Sequence, residues 1–461
     1  MPAARLRTVS SAELYRLRGS VKEVRPLVEK VFDGIVEALT RPLAAAEANP
    51  PQQQKEIAEP EITVTAESYP AAVEEFNRVF LERYWGDGLP LVPPTRERVD
   101  WMLSGTSRSP HEIIGKVDPK LGVATIEKIA INAVMAGARP EYLPVIIAAM
   151  EVLTDDNFDD LHVLASAGSF TLMIVVTGPI AKEINMNSGI GFLGHGWRAN
   201  NTIGRAIRLS TLNIGRLWPG MNDMGLTGRV SSHTFYTFAE NADLSAWQPY
   251  HAARGFRPDD SCVTVASIGS SGPMQNFYGG MIGTWTAKGI LDNMVADLIR
   301  TDRNLLSQWG NKGVGSILGS GQGAKNHMII LFPELAAELN KMGLNQQSLQ
   351  REVYHRAVIR YEELSPADRK AIQTGMEMGV VPPDRKPVFA EALKPGGMVP
   401  VLISPENLHF FVAGGVPGCA FSFSYYRLPP YKPTAIMTRL VTGATFTKAG
   451  ATEEKKVPYG A

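Results

Sequence analysis

The sequence predicts an α/β protein with mixed or mostly parallel sheets and flanking helices, arranged as two core domains behind an N-terminal helical arm. Two observations carry this. Short apolar runs such as Leu172–Thr177, Cys262–Ile268 and Met328–Phe332 alternate with longer stretches of helical periodicity. Glycine and proline close many of them, as at Gly178-Pro179 and Gly414-Gly415. With 461 residues, 44% hydrophobic and 20% charged, the chain is long and apolar enough to bury more than one core.

Residues 1–60 form the expected arm. Ser11 is placed to cap a helix in which Leu14, Leu17, Val21, Val24, Leu27, Val28, Val31 and Ile35 recur at mostly three- and four-residue steps. Pro26 kinks or divides it. The stretch Ala46–Gln54, with Pro50, Pro51 and three glutamines, reads as a linker. The stripe packs either on its own domain or on another subunit. The weak tie through the linker predicts a homo-oligomer, at least a homodimer, with Ser11–Leu39 in the contact.

In residues 61–300 a helix is expected over Tyr69–Tyr84, ending in the turn Trp85-Gly86-Asp87-Gly88, followed by extended Leu89–Thr95. Further helices are expected over Ala124–Ala136, from Pro140 to about Leu153, and over Asn200–Ile214. Strands are expected at Leu172–Thr177, Thr234–Ala239 and Cys262–Ile268. In residues 301–461 the expected strands are Met328–Phe332, Val399–Ile403 and Phe410–Ala413, the first and last in one sheet. Helices are expected over Pro333–Leu339 and Ser348–Leu364, and no fixed-period solenoid repeat is visible.

Several classes are disfavoured. Lys+Arg and Asp+Glu both number 46, so nucleic acid and anionic membrane are poor partners. Two cysteines, Cys262 and Cys419, exclude a disulfide scaffold and a four-cysteine zinc site, and both thiols are expected reduced. There is no secretory h-region and no apolar run near ~20 residues, which predicts a cytoplasmic protein. P-loop, nucleophile-elbow and H-E-x-x-H motifs are missing, and the eight histidines lack helical pair spacing, so no metal site is assigned. A single G-x-G-x-x-G at Gly189, Gly191 and Gly194 neither follows a strand directly nor precedes the required acid, which argues against a nicotinamide site. The cofactor, if any, is not identified.

The strongest local signal is a window from Ile184 to Asn222 with no acid and four arginines, Arg198, Arg205, Arg208 and Arg216, with His195 among them. On a helix, Arg198, Asn201, Arg205 and Arg208 share one face. Preceded by Gly191 and its neighbouring glycines, they suit the carboxylate or phosphate of a small anionic substrate. Alternatively these arginines pair with distant acids such as Glu240 or Asp223, or cross a subunit interface. Glu127, inside an apolar helix, is a candidate acid or base, or else an arginine partner. The loop Trp247–Gly255 offers His251 and Arg254. Cys419, behind a Gly-rich turn, is a candidate nucleophile or an inert buried thiol.

Three segments, Gly86–Thr95, Ile131–Pro144 and Arg198–Ala206, together with Glu240–Trp247 and Arg254–Asp260, carry a resemblance. They resemble a poorly characterised bacterial family related to the large proteins associated with thioredoxin-like (seleno)proteins bearing a U-G-S-C motif. The likeness spans roughly residues 80–430 and implies no catalytic residues; this chain has no U-G-S-C or C-G-S-C of its own. The expected function is therefore a small-molecule enzyme of lyase or hydrolase type acting on an anionic substrate. Alternatives are an oxidoreductase or redox subunit working with a thiol or selenol partner, and a non-catalytic subunit of a larger assembly.

Overall fold

A computed structural model describes residues 61–273 except 167, 226, 230 and 232, then 286–309, 326–377, 381–415, 421–425, 434 and 436–445, and, nearer the start, 25, 29, 32–34, 36, 37 and 40–42. The chain divides into two compact units, Met1–Thr65 and Ala66–Ala461. In the first, the described residues from 25 to 40 are helical, with Phe32 and Val36 exposed. Ser11 and the linker Ala46–Gln54 lie outside the described residues.

The second unit is α/β. Its strands are β1 (Ile113–Val117), β2 (Gly122–Thr125), β3 (Thr171–Thr177), β4 (Tyr236–Ala239), β5 (Cys262–Ile268), β6 (Ser270–Pro273), β7 (Asn326–Leu331), β8 (Val358–Arg360), β9 (Met398–Pro400), β10 (Leu408–Val412), β11 (Phe421–Tyr425) and β12 (Ile436–Leu440). Its helices are α1 (Tyr69–Glu82), α2 (Arg96–Leu103), α3 (Ile126–Met135), α4 (Leu143–Leu153), α5 (Leu161–Ala165), α6 (Pro179–Glu183), α7 (Arg198–Asn213), α8 (Ala287–Trp309), α9 (Pro333–Lys341), α10 (Gln346–Arg356), α11 (Pro366–Glu377) and α12 (Lys386–Ala392). Among the described residues, no helix is long and apolar enough to cross a membrane.

The two four-stranded sheets share one plan, and both are mixed. In the first, β3 runs parallel to β4 and antiparallel to β5, which is antiparallel to β12. In the second, β7 runs parallel to β10 and antiparallel to β11, which is antiparallel to β6. The expected pairing of the Met328 and Phe410 segments in one sheet is therefore present. The correspondence reaches single residues. Val176 faces Ala239 as Leu331 faces Val412. The next amides continue each ladder, Glu240 N to Val176 O at 2.9 Å and Ala413 N to Leu331 O at 3.1 Å.

The outer strands are exchanged. β6 follows β5 along the chain but joins the second sheet, and β12 follows β11 but joins the first. Residues at matching positions, Met173 and Met328, Val175 and Ile330, Phe238 and Phe411, meet in one buried cluster. The two sheets thus bury equivalent faces in a common core, with further helices packed on β7 and β10 through Ile329, Leu331, Phe410 and Val412. The alternation of inward residues along each strand makes both faces apolar, as a covered sheet requires.

Some boundaries differ from expectation for local reasons. Thr125 caps α3, its hydroxyl accepting from Lys128 N at 3.3 Å, so the residues before it, Gly122–Thr125, pair as β2. Pro140 opens a 3₁₀ turn, and the α-helix starts at Leu143. The expected helix Ser348–Leu364 ends at Arg356, because the β-branched Val358 and Ile359 pair with Pro400 and Val399.

Candidate functional site

Helix α7 builds the site. It buries Ile203, Ile207 and Leu209, and it carries Gly204 where the backbone before β4 crosses. A Cβ on Gly204 would stand 1.7 Å from Thr234 O and 2.4 Å from Thr237 Oγ1, so only glycine admits this approach. The crossing sets Phe235 under Arg208, whose Cζ lies 3.9 Å from the ring centroid.

Arg205 and Arg208 meet different fates. Arg205 donates through Nε and Nη2 to the two oxygens of Asp87, at 2.8 and 2.9 Å, and through Nη2 to the carbonyls of Leu89 and Pro90. Its fork is thus engaged by the Gly86-Asp87-Gly88 turn, an acid the sequence did not single out as its partner. Burial alone would raise the Asp87 carboxyl, but hydrogen bonds and charge from Arg205 outweigh it and hold the group below its ordinary value.

Arg208 is 6% exposed, and its Nε and Nη2 have no hydrogen-bond partner among the described residues. These two atoms form the same side-on edge with which Arg205 grips Asp87. Burial pushes the guanidinium down to about 10; Asp223 and Asp87 act in the opposite direction and Arg229 reinforces the shift. Arg208 remains a cation at neutral pH.

The surrounding groups come from the segment between α7 and β4. Arg229 binds Asp223 Oδ1 through Nε at 2.7 Å, and its Nη atoms donate to the carbonyls of Val163, Ser166, Gly168 and Phe170. Trp218 carries a buried Nε1 without a partner among the described residues, and its ring lies 5.9 Å from that of Tyr84. His233 is half-exposed, with Nδ1 3.7 Å from Asp87 Oδ2. Four of the six non-glycine residues with left-handed backbone among the described residues, Tyr84, Arg216, Ser231 and Phe235, belong to this region. Such strain persists only where packing imposes it, and it concentrates at functional sites.

A second polar cluster lies where the two sheets meet. Glu240, just past β4, accepts from Tyr250 N at 2.9 Å, and Asn241 N donates to Val412 O at 2.7 Å. Burial pushes the Glu240 carboxyl up to about 7, against hydrogen bonds from the Tyr250 and Val412 backbones. Arg254 lies over the Tyr250 ring and donates through Nη2 to His409 Nδ1 at 2.6 Å; burial, then the Arg254 charge, keeps His409 neutral. His251 is fully buried, and its Nε2 donates to the Arg257 and Pro258 carbonyls, which fixes the proton on that nitrogen.

The remaining candidates are placed as follows. Glu127 pairs with Arg96 at 2.7 Å. Arg198 donates to Gly137 O, and Asn201 to Trp197 O within the helix. His195 and Gly191 are exposed in the loop before α7, Gly191 with φ 72°. Cys419 lies outside the described residues. Sequence reasoning missed Asp87, Trp218 and His233 as site residues and weighed Asp223 only as a counter-charge. The available signal was an acid set between two glycines ahead of a Pro-rich segment. Among the described residues no group of three or more His, Cys, Asp or Glu is placed to hold a metal. No family model, curated protein or solved structure matches the chain.

Proposed function

We propose that this chain is an enzyme of lyase or hydrolase type that anchors a small organic anion on the Nε/Nη2 edge of Arg208. The observation that carries this reading is that edge itself: a buried cation with two parallel donors and no acceptor among the described residues. A buried charge is costly unless it is paired. A bidentate anion supplies the missing partner. His233, half-exposed with Nδ1 3.7 Å from Asp87 Oδ2, is the proton-moving group of this reading. Phe235 covers one face of the guanidinium, so entry of the ligand requires the backbone around it, left-handed at Phe235, to shift.

Calorimetric titration of the protein with small carboxylates and phosphates tests this. At least one is expected to bind, and Arg208→Met weakens it about tenfold to a hundredfold, the value of a desolvated charged pair. Undiminished binding to Arg208→Met would refute the anchor. His233→Asn is expected to abolish turnover while leaving affinity within about threefold.

A redox reading has no support at Cys262, whose thiol is pushed up to about 12 by burial and then by Asp260. Exposed Phe32 and Val36 support the homo-oligomer reading, in which the N-terminal helix meets a second copy. Deletion of residues 1–60 is then expected to lower the subunit count in light scattering, and an unchanged count would refute that role.

A further inference from the structure

The class of anion follows from the charges around Arg208, given the anchor proposed above. The ionised groups acting on it are Asp87, Asp223 and Arg229, and Arg205 holds Asp87. Arg205 balances Asp87 and Arg229 balances Asp223. Among the described arginines and aspartates of the cluster, Arg208 is then the one left over. One monoanion neutralises it. A phosphate monoester, close to a dianion at neutral pH, leaves an excess negative charge in the same space. The cost of burying an ion also rises as the square of its charge, and the carboxylates of Asp87 and Asp223 repel the second charge. The protein contains its own template for the favoured contact: the Asp87 carboxylate on the corresponding edge of Arg205, at 2.8 and 2.9 Å.

The rest of the ligand meets apolar surface. Phe235 closes one face of the Arg208 guanidinium, so the anion approaches in the plane of the fork. On the segment that contributes Asp223, Met221 and Met224 are exposed at 53% and 39%, and Tyr84, 47% exposed, lies against Trp218. Large apolar side chains left exposed on the segment whose acid acts on a buried cation suit an amphipathic ligand.

We infer that the ligand is a monocarboxylate carried on an apolar body, and that phosphate compounds are excluded. This rests on Arg208 as the anchor, and the test separates the two statements. Phenylacetate, acetate and phenyl phosphate are titrated calorimetrically into the full chain and into Arg208→Met, with circular dichroism confirming that the variant is folded. Phenylacetate is expected to bind at least about tenfold more tightly than either other probe, and Arg208→Met to weaken it by a similar factor or more. Phenyl phosphate binding as tightly as phenylacetate, and weakened by Arg208→Met, would overturn the carboxylate class and leave the anchor standing. Acetate matching phenylacetate would overturn the apolar body. No probe binding, or binding indifferent to Arg208→Met, would overturn the anchor and this inference with it. If Arg208→Met does not fold, Arg208→Lys takes its place, with the same outcomes, since it keeps the charge and removes the fork.

Discussion

Arg205 and Asp87, 118 residues apart, form a two-pronged ion pair that ties the Gly86–Pro90 turn to helix α7. Arg208, three residues on and on the same side of the helix, has the same edge without a partner among the described residues. The pair shows what this fork does when satisfied; in the proposed reading Arg205 is structural and Arg208 meets the ligand.

Arg205→Lys is accordingly a stability mutation. Its side chain is 13% exposed and that of Asp87 5%, so the pair is largely removed from water. Lysine keeps the charge but loses the parallel donors and the bonds to the Leu89 and Pro90 carbonyls. A loss of roughly 1.5–3 kcal/mol is expected by chemical denaturation. Asp87→Asn, which leaves Arg205 uncompensated, is expected to cost roughly 3–5 kcal/mol. Unchanged stability in both would mean that the turn is not held by this pair.

Glu240 predicts a pH dependence. Its folded carboxyl is raised from 4.5 to about 7, so the neutral form is favoured by folding. The associated stability is fully present below about pH 4.5 and is lost as pH rises through about 7, by an amount on the order of 3 kcal/mol. Glu240→Gln is expected to remove that part of the slope between pH 5 and 8 in thermal melts. A variant with the wild-type slope would assign the dependence to other groups.

Gly204→Ala is expected to destabilise the chain by roughly 1–3 kcal/mol, because the new methyl meets the Thr234 carbonyl and the backbone must move. The displacement moves Phe235 relative to Arg208, so ligand affinity is expected to fall as well. A stable variant with normal binding would show that the crossing tolerates the shift.

Cys262 is buried with its thiol pushed up to about 12. Iodoacetamide is expected to leave it unmodified in the native protein and to label it after denaturation, as read by peptide mass mapping. Full labelling of native Cys262 would contradict its assignment as an inert core residue.

The strands at Thr171–Thr177, Cys262–Ile268 and Asn326–Leu331 were legible because each is a short apolar run bounded by polar or Gly/Pro residues, a local property. The repeat between β3–β6 and β7–β12 was not. Matching strands are separated by connections of unequal length, so no constant period exists, and the exchange of β6 and β12 is a tertiary fact. The arginines of α7 were visible as a one-signed window, but their roles depended on Asp87, which reaches Arg205 only after the Gly86–Pro90 turn folds back. His233 was one of eight histidines with nothing local to distinguish it. Glu127 looked unusual inside an apolar helix, and Arg96 explains it from outside that helix.

The most direct test is the stability of Arg208→Met in the absence of ligand, measured beside its affinity for phenylacetate. A guanidinium kept for binding is a burden to the empty fold, since along one edge its charge is buried without a hydrogen-bond partner among the described residues. Methionine fills similar space and packs well on Phe235. Arg208→Met is expected to raise the unfolding free energy by about 1–3 kcal/mol and to lose phenylacetate binding. A variant that is less stable than the wild type and binds phenylacetate normally would show Arg208 to be a structural residue and not the anchor of a ligand.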